Sequence, residues 1–305
     1  MLGRDFTSIL DISSDELDEI LELSLGMKRD GAGPLLSGQT LALIFEKPSL
    51  RTRTSFEQAM FRLGGQVRYY SAFEVQMGER EPVRDVARVL STMVQAIGVR
   101  TFEHATVTEM ANYASVPVIN ALSEDEHPCQ ALADVLTLRE RFGQLSGLRV
   151  TYVGEGNNVA RSLAFASVLA GIHLTCASPE GFGLPEKTLA VARDLEGSGT
   201  VTQTDDPEAA VAEASALYTD VWASMGHEDE LESRIEIFKP YQLNAQLLAQ
   251  APADAIVMHD LPAHRGQEIT DDVIESDRSV VFQQAENRMH AQQALLALLL
   301  GGSPS

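Results

Sequence analysis

At 305 residues the chain is long enough for two domains of ordinary size, and 44% apolar with 22% charged residues is the composition of a soluble globular protein, which excludes a disordered chain. The 23 basic against 44 acidic residues give a formal charge of −21, which argues against non-specific binding to nucleic acid or anionic membrane and obliges any anionic ligand to find a local cationic pocket. Residues 1–6 lack the apolar core of a signal peptide, no run reaches the length of a membrane span, and Cys129 and Cys176 lack CxxC spacing, so a cytoplasmic chain without disulfides or structural zinc is expected.

The first predicted helix opens at Ser13-Ser14-Asp15-Glu16, a capping box, and carries an apolar stripe of Leu17, Ile20, Leu21 and Leu25 that ends at Gly26. Residues 40–45 form the short apolar run of a buried parallel strand. Pro48 breaks that run, Ser49 is a good N-cap, and Phe56, Ala59, Met60 and Leu63 recur at helical spacing up to Gly64-Gly65. Ser49, Arg51, Thr52 and Arg53 therefore sit at a helix start. There the free N–H groups and the helix dipole favour negative charge, and arginine can hold phosphate through two parallel bonds. The stretch reads either as a phosphate site or as a capped surface helix with solvated arginines.

Strands and helices then alternate: strand 66–71, helix 82–95, strand 96–101, helix 103–113, strand 116–121, and a helix opened by residues 125–130 that runs to Phe142-Gly143. Such alternation predicts an α/β fold of parallel sheets flanked by helices. Gln144-Leu145-Ser146-Gly147 marks a boundary between a domain of residues 1–143 and one of residues 148–286. The second half restarts with strand 148–154 and a helix after Asn157-Asn158. Further strands are expected at 173–178, 200–204, 216–222, 255–259 and 280–283. A final helix, residues 287–300, is too apolar for a free tail and must pack onto something.

Chemistry-bearing residues recur where strands hand over to helices. His127 and Gln130 stand at a helix start, where an imidazole and a carboxamide could hold a carbonyl and an NH2 group, or where the histidine merely caps. Arg100 ends a strand, at the edge where open α/β sheets bind ligands, or serves an ion pair. Gly154-Glu155-Gly156-Asn157-Asn158 invites a dinucleotide reading, but Val159 occupies the third glycine position, which leaves the two asparagines to bind a carboxylate or cap the helix. Asp220 and Ser224 suit an ammonium group. His259 and His264 suggest a metal, yet no third ligand arrives at standard spacing, so no metal is expected. Arg288 opens the last helix as an anion contact or a surface cation.

Taken in order, S-x-R-T-R, H-P-x-Q-x-x-x-D (His127, Pro128, Gln130, Asp134), G-N-N, D-x-W-x-S-M-G, H-x-L-P-x-H-R-G and A-E-N-R resemble the aspartate/ornithine carbamoyltransferases, in the form that acts on ornithine, from about residue 40 to the end. The resemblance implies a carbamoyl-phosphate domain, an amino-acid domain, and a terminal helix, about 287–305, packing back on the first. It also implies a homotrimer or a multiple of trimers with active sites at subunit interfaces, and no cofactor, metal or covalent intermediate. By motif position, Ser49, Arg51, Thr52 and Arg100 would hold the phosphate, with the Leu50 backbone N–H, and Gln76 would reach a neighbouring subunit's phosphate site. Thr52, Arg100 and His127 would polarise the carbonyl. Gln130 and the Leu261 carbonyl would orient the carbamoyl NH2, with Arg288 alongside. Asn158 would bind the α-carboxylate of ornithine, and Asp220 and Ser224 its α-amino group, with Met225 supporting the loop. Arg53 and Asn157 receive no firm role.

Two positions depart from the family pattern. Leu50 replaces a hydroxyl residue but keeps its backbone donor; enzymes for acetylornithine and succinylornithine tolerate an apolar residue there, but the single tryptophan, Trp222, leaves this chain without their additional first-domain tryptophan. Ser224-Met225-Gly226 favours ornithine over putrescine. Asp260 stands where the relatives place a cysteine, next to the reactive amine. It would stabilise the ammonium and move the rate profile to higher pH, or accept the amine's proton. The expected reaction is carbamoyl transfer from carbamoyl phosphate to L-ornithine, giving L-citrulline and phosphate. The alternatives are another amine (lysine, a diamine or N-acylated ornithine), a nicotinamide oxidoreductase, or a non-catalytic protein retaining the fold.

Overall fold

The computed structural model describes residues 1–222 and 231–301. They divide into two compact units, Met1–Leu136 with Glu286–Ser305, and Thr137–Ala285.

In the first unit, α1 (Ser14–Asp30) starts on the Ser13–Glu16 capping box. It continues past Gly26 to Gly31, whose φ of 80° ends it. A mid-helix glycine costs only about 1 kcal/mol, and Met27, one residue on, is buried, so the helix gains by continuing. The chain then runs through β1 (Thr40–Phe45), α2 (Leu50–Arg62), β2 (Gln66–Ser71), α3 (Ala72–Val75), α4 (Val83–Ser91), β3 (Ala96–Arg100), α5 (His104–Tyr113), β4 (Val118–Leu122) and α6 (Pro128–Phe142). The four strands are parallel in the order β2-β1-β3-β4. Ala42, Ile44, Ile97, Val99 and Val118 pack on one sheet face against Val83, Val86 and Ala87 of α4 and Val107 and Met110 of α5.

The second unit holds β5 (Arg149–Val153), α7 (Asn158–Ala170), β6 (His173–Ala177), α8 (Glu186–Asp194), β7 (Thr200–Thr204), α9 (Pro207–Val211), β8 (Ala216–Thr219), α10 (Leu231–Phe238), α11 (Ala245–Leu248), β9 (Ile256–His259) and α12 (Asp271–Ile274). Its five strands are parallel in the order β7-β6-β5-β8-β9. By this division the units part inside α6 and inside α13 (Val281–Leu300). Residues 280–283 were expected as a strand. Their strand-like pairing is confined to a single bridge, Ser279 with Val257, and to the Val280 N–H donating to Val257; the Gln284 N–H then turns to the Val280 carbonyl and the helix begins. Strand β8 likewise stops at Thr219, short of Trp222, because the Asp220 carboxylate takes the Val221 N–H at 2.7 Å and ends the ladder. Helix α8 carries no side-chain cap and buries only Thr188, Leu189 and Ala192, which is why its sequence pattern is faint. Among the described residues no helix is long and apolar enough to cross a membrane.

Both sheets reverse their winding once. In the first unit the chain lays β2 on one side of β1 and β3 on the other; in the second, β6 and β8 flank β5 in the same way. Open α/β sheets bind ligands beyond the strand carboxyl ends at such reversals. The segments after β1, β3, β5 and β8 begin at Glu46, Thr101, Gly154 and Asp220.

Candidate active site

In the first unit Ser49 caps α2: its Oγ accepts the Thr52 N–H at 3.2 Å and donates to Thr52 Oγ1 at 3.0 Å. Two guanidiniums meet at that same buried hydroxyl. Arg100, at the end of β3, donates to Thr52 Oγ1 at 3.4 Å, and Arg288 of α13 donates at 2.9 Å. Like charges converging on one oxygen repel one another, and a dianion bound beside them would relieve that repulsion. Glu46 fastens the two strand ends together: its N–H donates to the Arg100 carbonyl at 2.8 Å, and its carboxylate accepts the Phe102 N–H at 2.9 Å and the Thr101 hydroxyl. Nothing in the sequence marked Glu46, because its partners lie 55 and 56 residues away.

His127 is buried immediately before α6. Burial, then the charges of Arg288 and Arg100, hold its imidazole well below the usual histidine range, so it is neutral at physiological pH. Gln130 donates from Nε2 to Asp134 Oδ1 at 2.8 Å, which fixes its amide; its buried Oε1 takes no partner among the described residues and is left as an acceptor. Burial pushes the neighbouring Cys129 thiol up to about 12, so it is no nucleophile. Arg51 is half-buried at the same helix start, and Leu50 is 76% exposed. Arg53 turns elsewhere, donating to Glu57 at 2.9 Å and lying 3.9 Å over the Tyr69 ring. Gln76 is not part of this cluster within the chain. It is exposed, with a φ of 52°, and lines an open groove of 660 Å³ with Phe73 and Glu46.

In the second unit Asn157 caps α7 and its Nδ2 donates to Asp220 Oδ2 at 2.7 Å. Asn158, half-buried next to it, accepts the Val159 N–H at 3.1 Å. Gly156 is there for close packing, since a Cβ would meet the Leu184 nitrogen at 2.2 Å. That accounts for the glycine without a dinucleotide. Asp220, His259 and Asp260 come together, with one ligand atom of each within 4.8 Å of the others. His259 Nε2 faces the fully buried Glu268 at 3.0 Å, and Nδ1 lies 3.3 Å from Asp260 Oδ1 while accepting the Leu261 N–H at 2.9 Å. Sequence spacing could not show this cluster, because Glu268 reaches back across a turn and Asp220 follows another strand, β8.

Both ring nitrogens of His259 are engaged within the protein, so the trio lacks an imidazole lone pair to offer a metal, and its two carboxylates suit an ammonium group. His264 is exposed and its backbone N–H donates to Glu268 Oε1 at 2.6 Å, but its ring takes no part in the trio. Burial, then the Asp260 charge, raises the Asp220 carboxyl well above its ordinary range. For His259, burial acts downward and is outweighed by Asp260 and Glu268, which push it up to about 10. Full protonation would also require the Leu261 N–H to leave Nδ1; with that bond in place the ring is neutral, its proton on Nε2 toward Glu268. Leu261, at a φ of 59°, joins Pro262 through a cis peptide. Ser224 and Met225 lie outside the described residues.

Both units match known proteins. Residues 4–140 match the aspartate/ornithine carbamoyltransferase carbamoyl-P binding domain, and residues 146–299 match the Asp/Orn binding domain of the same family. An ornithine carbamoyltransferase of Methanocorpusculum labreanum is 50% identical over 98% of this chain and 99% of its own. One from Pyrococcus abyssi is 50% identical over 98% and 96%. The solved ornithine carbamoyltransferase of Pyrococcus furiosus superposes with a TM-score of 0.95 at 48% identity, covering 99% of both chains, and that of Thermus thermophilus with 0.90 at 44%, covering 98% and 100%. Matched over both units and at this identity, the chain belongs to the aspartate/ornithine carbamoyltransferase family.

Proposed function

We propose that the chain transfers the carbamoyl group of carbamoyl phosphate to the side-chain amine of L-ornithine, releasing L-citrulline and phosphate. The observation that carries this is the Thr52 hydroxyl held between Arg100 and Arg288, with both charges felt by a neutral His127. A phosphate binds at the capped start of α2 through Ser49, the Leu50 N–H, Arg51 and Thr52. The carbonyl oxygen of the carbamoyl group points to Thr52, Arg100 and His127. Gln130 Oε1 accepts from the carbamoyl NH2, a task for which its amide is already oriented, with the Leu261 carbonyl and Arg288 assisting.

An uncharged amine attacks the carbonyl carbon, negative charge grows on the carbonyl oxygen under donors that are already in place, and the C–O bond to phosphate breaks. Phosphate takes the electron pair, its basic oxygen takes the proton that the attacking nitrogen gives up, and it stays in the arginine cradle. Removing one such donor typically costs about two to three powers of ten in rate. The α-amino group of ornithine belongs at Asp220 and its carboxylate at Asn158, with Ser224 and Met225 as further contacts. The chain works as a trimer in which Gln76 serves a neighbouring copy's phosphate site; the exposure of Gln76 and of Phe73, 86% exposed, supports this. We place it in the cytoplasm, where the free thiols of Cys129 and Cys176 stay reduced.

Asp260 favours a second reading, an amine other than ornithine, because it adds a carboxylate beside Asp220. The test is a panel of L-ornithine, L-lysine, putrescine and N-acetylornithine with carbamoyl phosphate, scoring phosphate release and the carbamoylated product. Ornithine is expected to give the highest kcat/KM. A higher value for another amine would replace ornithine, and no turnover with any amine would remove the transferase assignment.

A further inference from the structure

Asn157 and Asn158 look alike in the sequence, and the structure separates them. Asn157 Oδ1 accepts three donors: the Val159 N–H at 3.0 Å, the Ala160 N–H at 3.1 Å and the Tyr152 hydroxyl at 3.2 Å. With its oxygen so engaged, the amide has one orientation, and Nδ2 donates to Asp220 Oδ2 at 2.7 Å. The other Asp220 oxygen accepts the Val221 N–H at 2.7 Å. We infer that Asn157 is a positioning residue for the amine site: its locked amide turns Asp220 and keeps that carboxylate an acceptor for the substrate ammonium, a role that rests on Asp220 holding the amine.

The neighbourhood explains why such a group is needed. Asp220 is buried and faces Asp260 and His259 from β9 and the turn after it, and Tyr152 from β5; Glu155, in the segment before α7, is paired with Arg234 at 2.8 Å. Burial and Asp260 favour a protonated Asp220, whereas the Asn157 amide favours the carboxylate. A protonated Asp220 would donate to Asp260 and offer an ammonium group little. An amide NH2 can only donate, so it opposes protonation of its partner.

Asn157→Asp tests the inference, because it keeps an oxygen for the Val159 and Ala160 N–H groups and so keeps α7 capped. It removes the donor and sets a third carboxylate beside Asp220. With carbamoyl phosphate saturating and L-ornithine varied, its KM for ornithine is expected to rise about ten- to a hundredfold, with the acid limb of kcat/KM moved to higher pH. The thermal unfolding midpoint should stay near that of the parent. Asn157→Ser, also a cap but too short to reach Asp220, should show the KM rise even if the aspartate variant folds poorly. Asp220→Asn is run beside them. Parent-like KM and pH limb in both Asn157 variants, with KM raised in Asp220→Asn, would overturn the role of Asn157 alone. An unchanged KM in Asp220→Asn would overturn the placement of the amine, and the role of Asn157 with it.

Discussion

If Asp220 holds the substrate ammonium as proposed, it carries opposite demands, since it must be charged to do so and is buried where charge is unfavourable. Its carboxyl sits well above the ordinary value of 3.8, first through burial and then through Asp260. The sign of the linkage follows. As pH rises from 3.8 to the raised value, the unfolded chain loses a proton that the folded chain retains, so this group lowers stability across that window and throughout the pH range above it. Asp220→Asn has no such proton, so its unfolding free energy should fall less than the parent's between acid and neutral pH, read by urea titration at the two pH values. The same change should lower kcat/KM for ornithine by about a hundredfold or more. Asp260 gives a second prediction at this scale. A carboxylate near the reactive amine stabilises its ammonium form, so the Asp260→Cys variant should reach half-maximal rate at lower pH than the parent; coincident pH profiles would refute it. The identities of Thr52, His127, Gln130 and Asp220 could be read from their motifs, but their supports could not. Glu46, Glu268 and Asn157 act through partners that only folding brings near.

At the scale of elements, the start of α2 joins folding to chemistry. Ser49 satisfies the Thr52 N–H and also donates to its hydroxyl, so one side chain both starts the helix and orients the hydroxyl proposed to face the carbonyl oxygen. Ser49→Ala should cost about 1 kcal/mol in unfolding free energy, within the usual range for a lost cap. Ser49→Asp should restore that stability yet raise the KM for carbamoyl phosphate above the alanine value, because it opposes a phosphate with a negative charge. Steady-state kinetics beside thermal melts separate the two effects. The strands at 40–45, 66–71 and 200–204 agree with their sequence limits, since short runs between glycine and proline signals leave little choice. The start of α13 was illegible because Val280-Val281-Phe282 suits a strand or a helix equally by periodicity.

For the whole molecule, the formal charge of −21 surrounds a site for an anion. The guanidiniums at Thr52 therefore act against the field of the protein, and added salt should lower the KM for carbamoyl phosphate by screening that field. Sedimentation velocity is expected to give three chains or a multiple of three; a monomer with full activity would remove the role assigned to Gln76 on a neighbouring copy. The alternation of strand-like and helical stretches in each half carried the α/β class, because parallel sheets leave a repetitive trace in sequence. It carried nothing of the winding reversals, which depend on which side of β1 and β5 the chain returns.

Those two reversals have a consequence for descent. Each half of the chain offers its own strand ends, one set to the activated donor and the other to the acceptor. Mutation in the segments after β8 and β9 can thus alter which nucleophile is accepted while the leaving-group cradle goes on unchanged. On the ornithine reading, Asp260 would be such a position, one to vary on the acceptor side while the residues around Thr52 are kept.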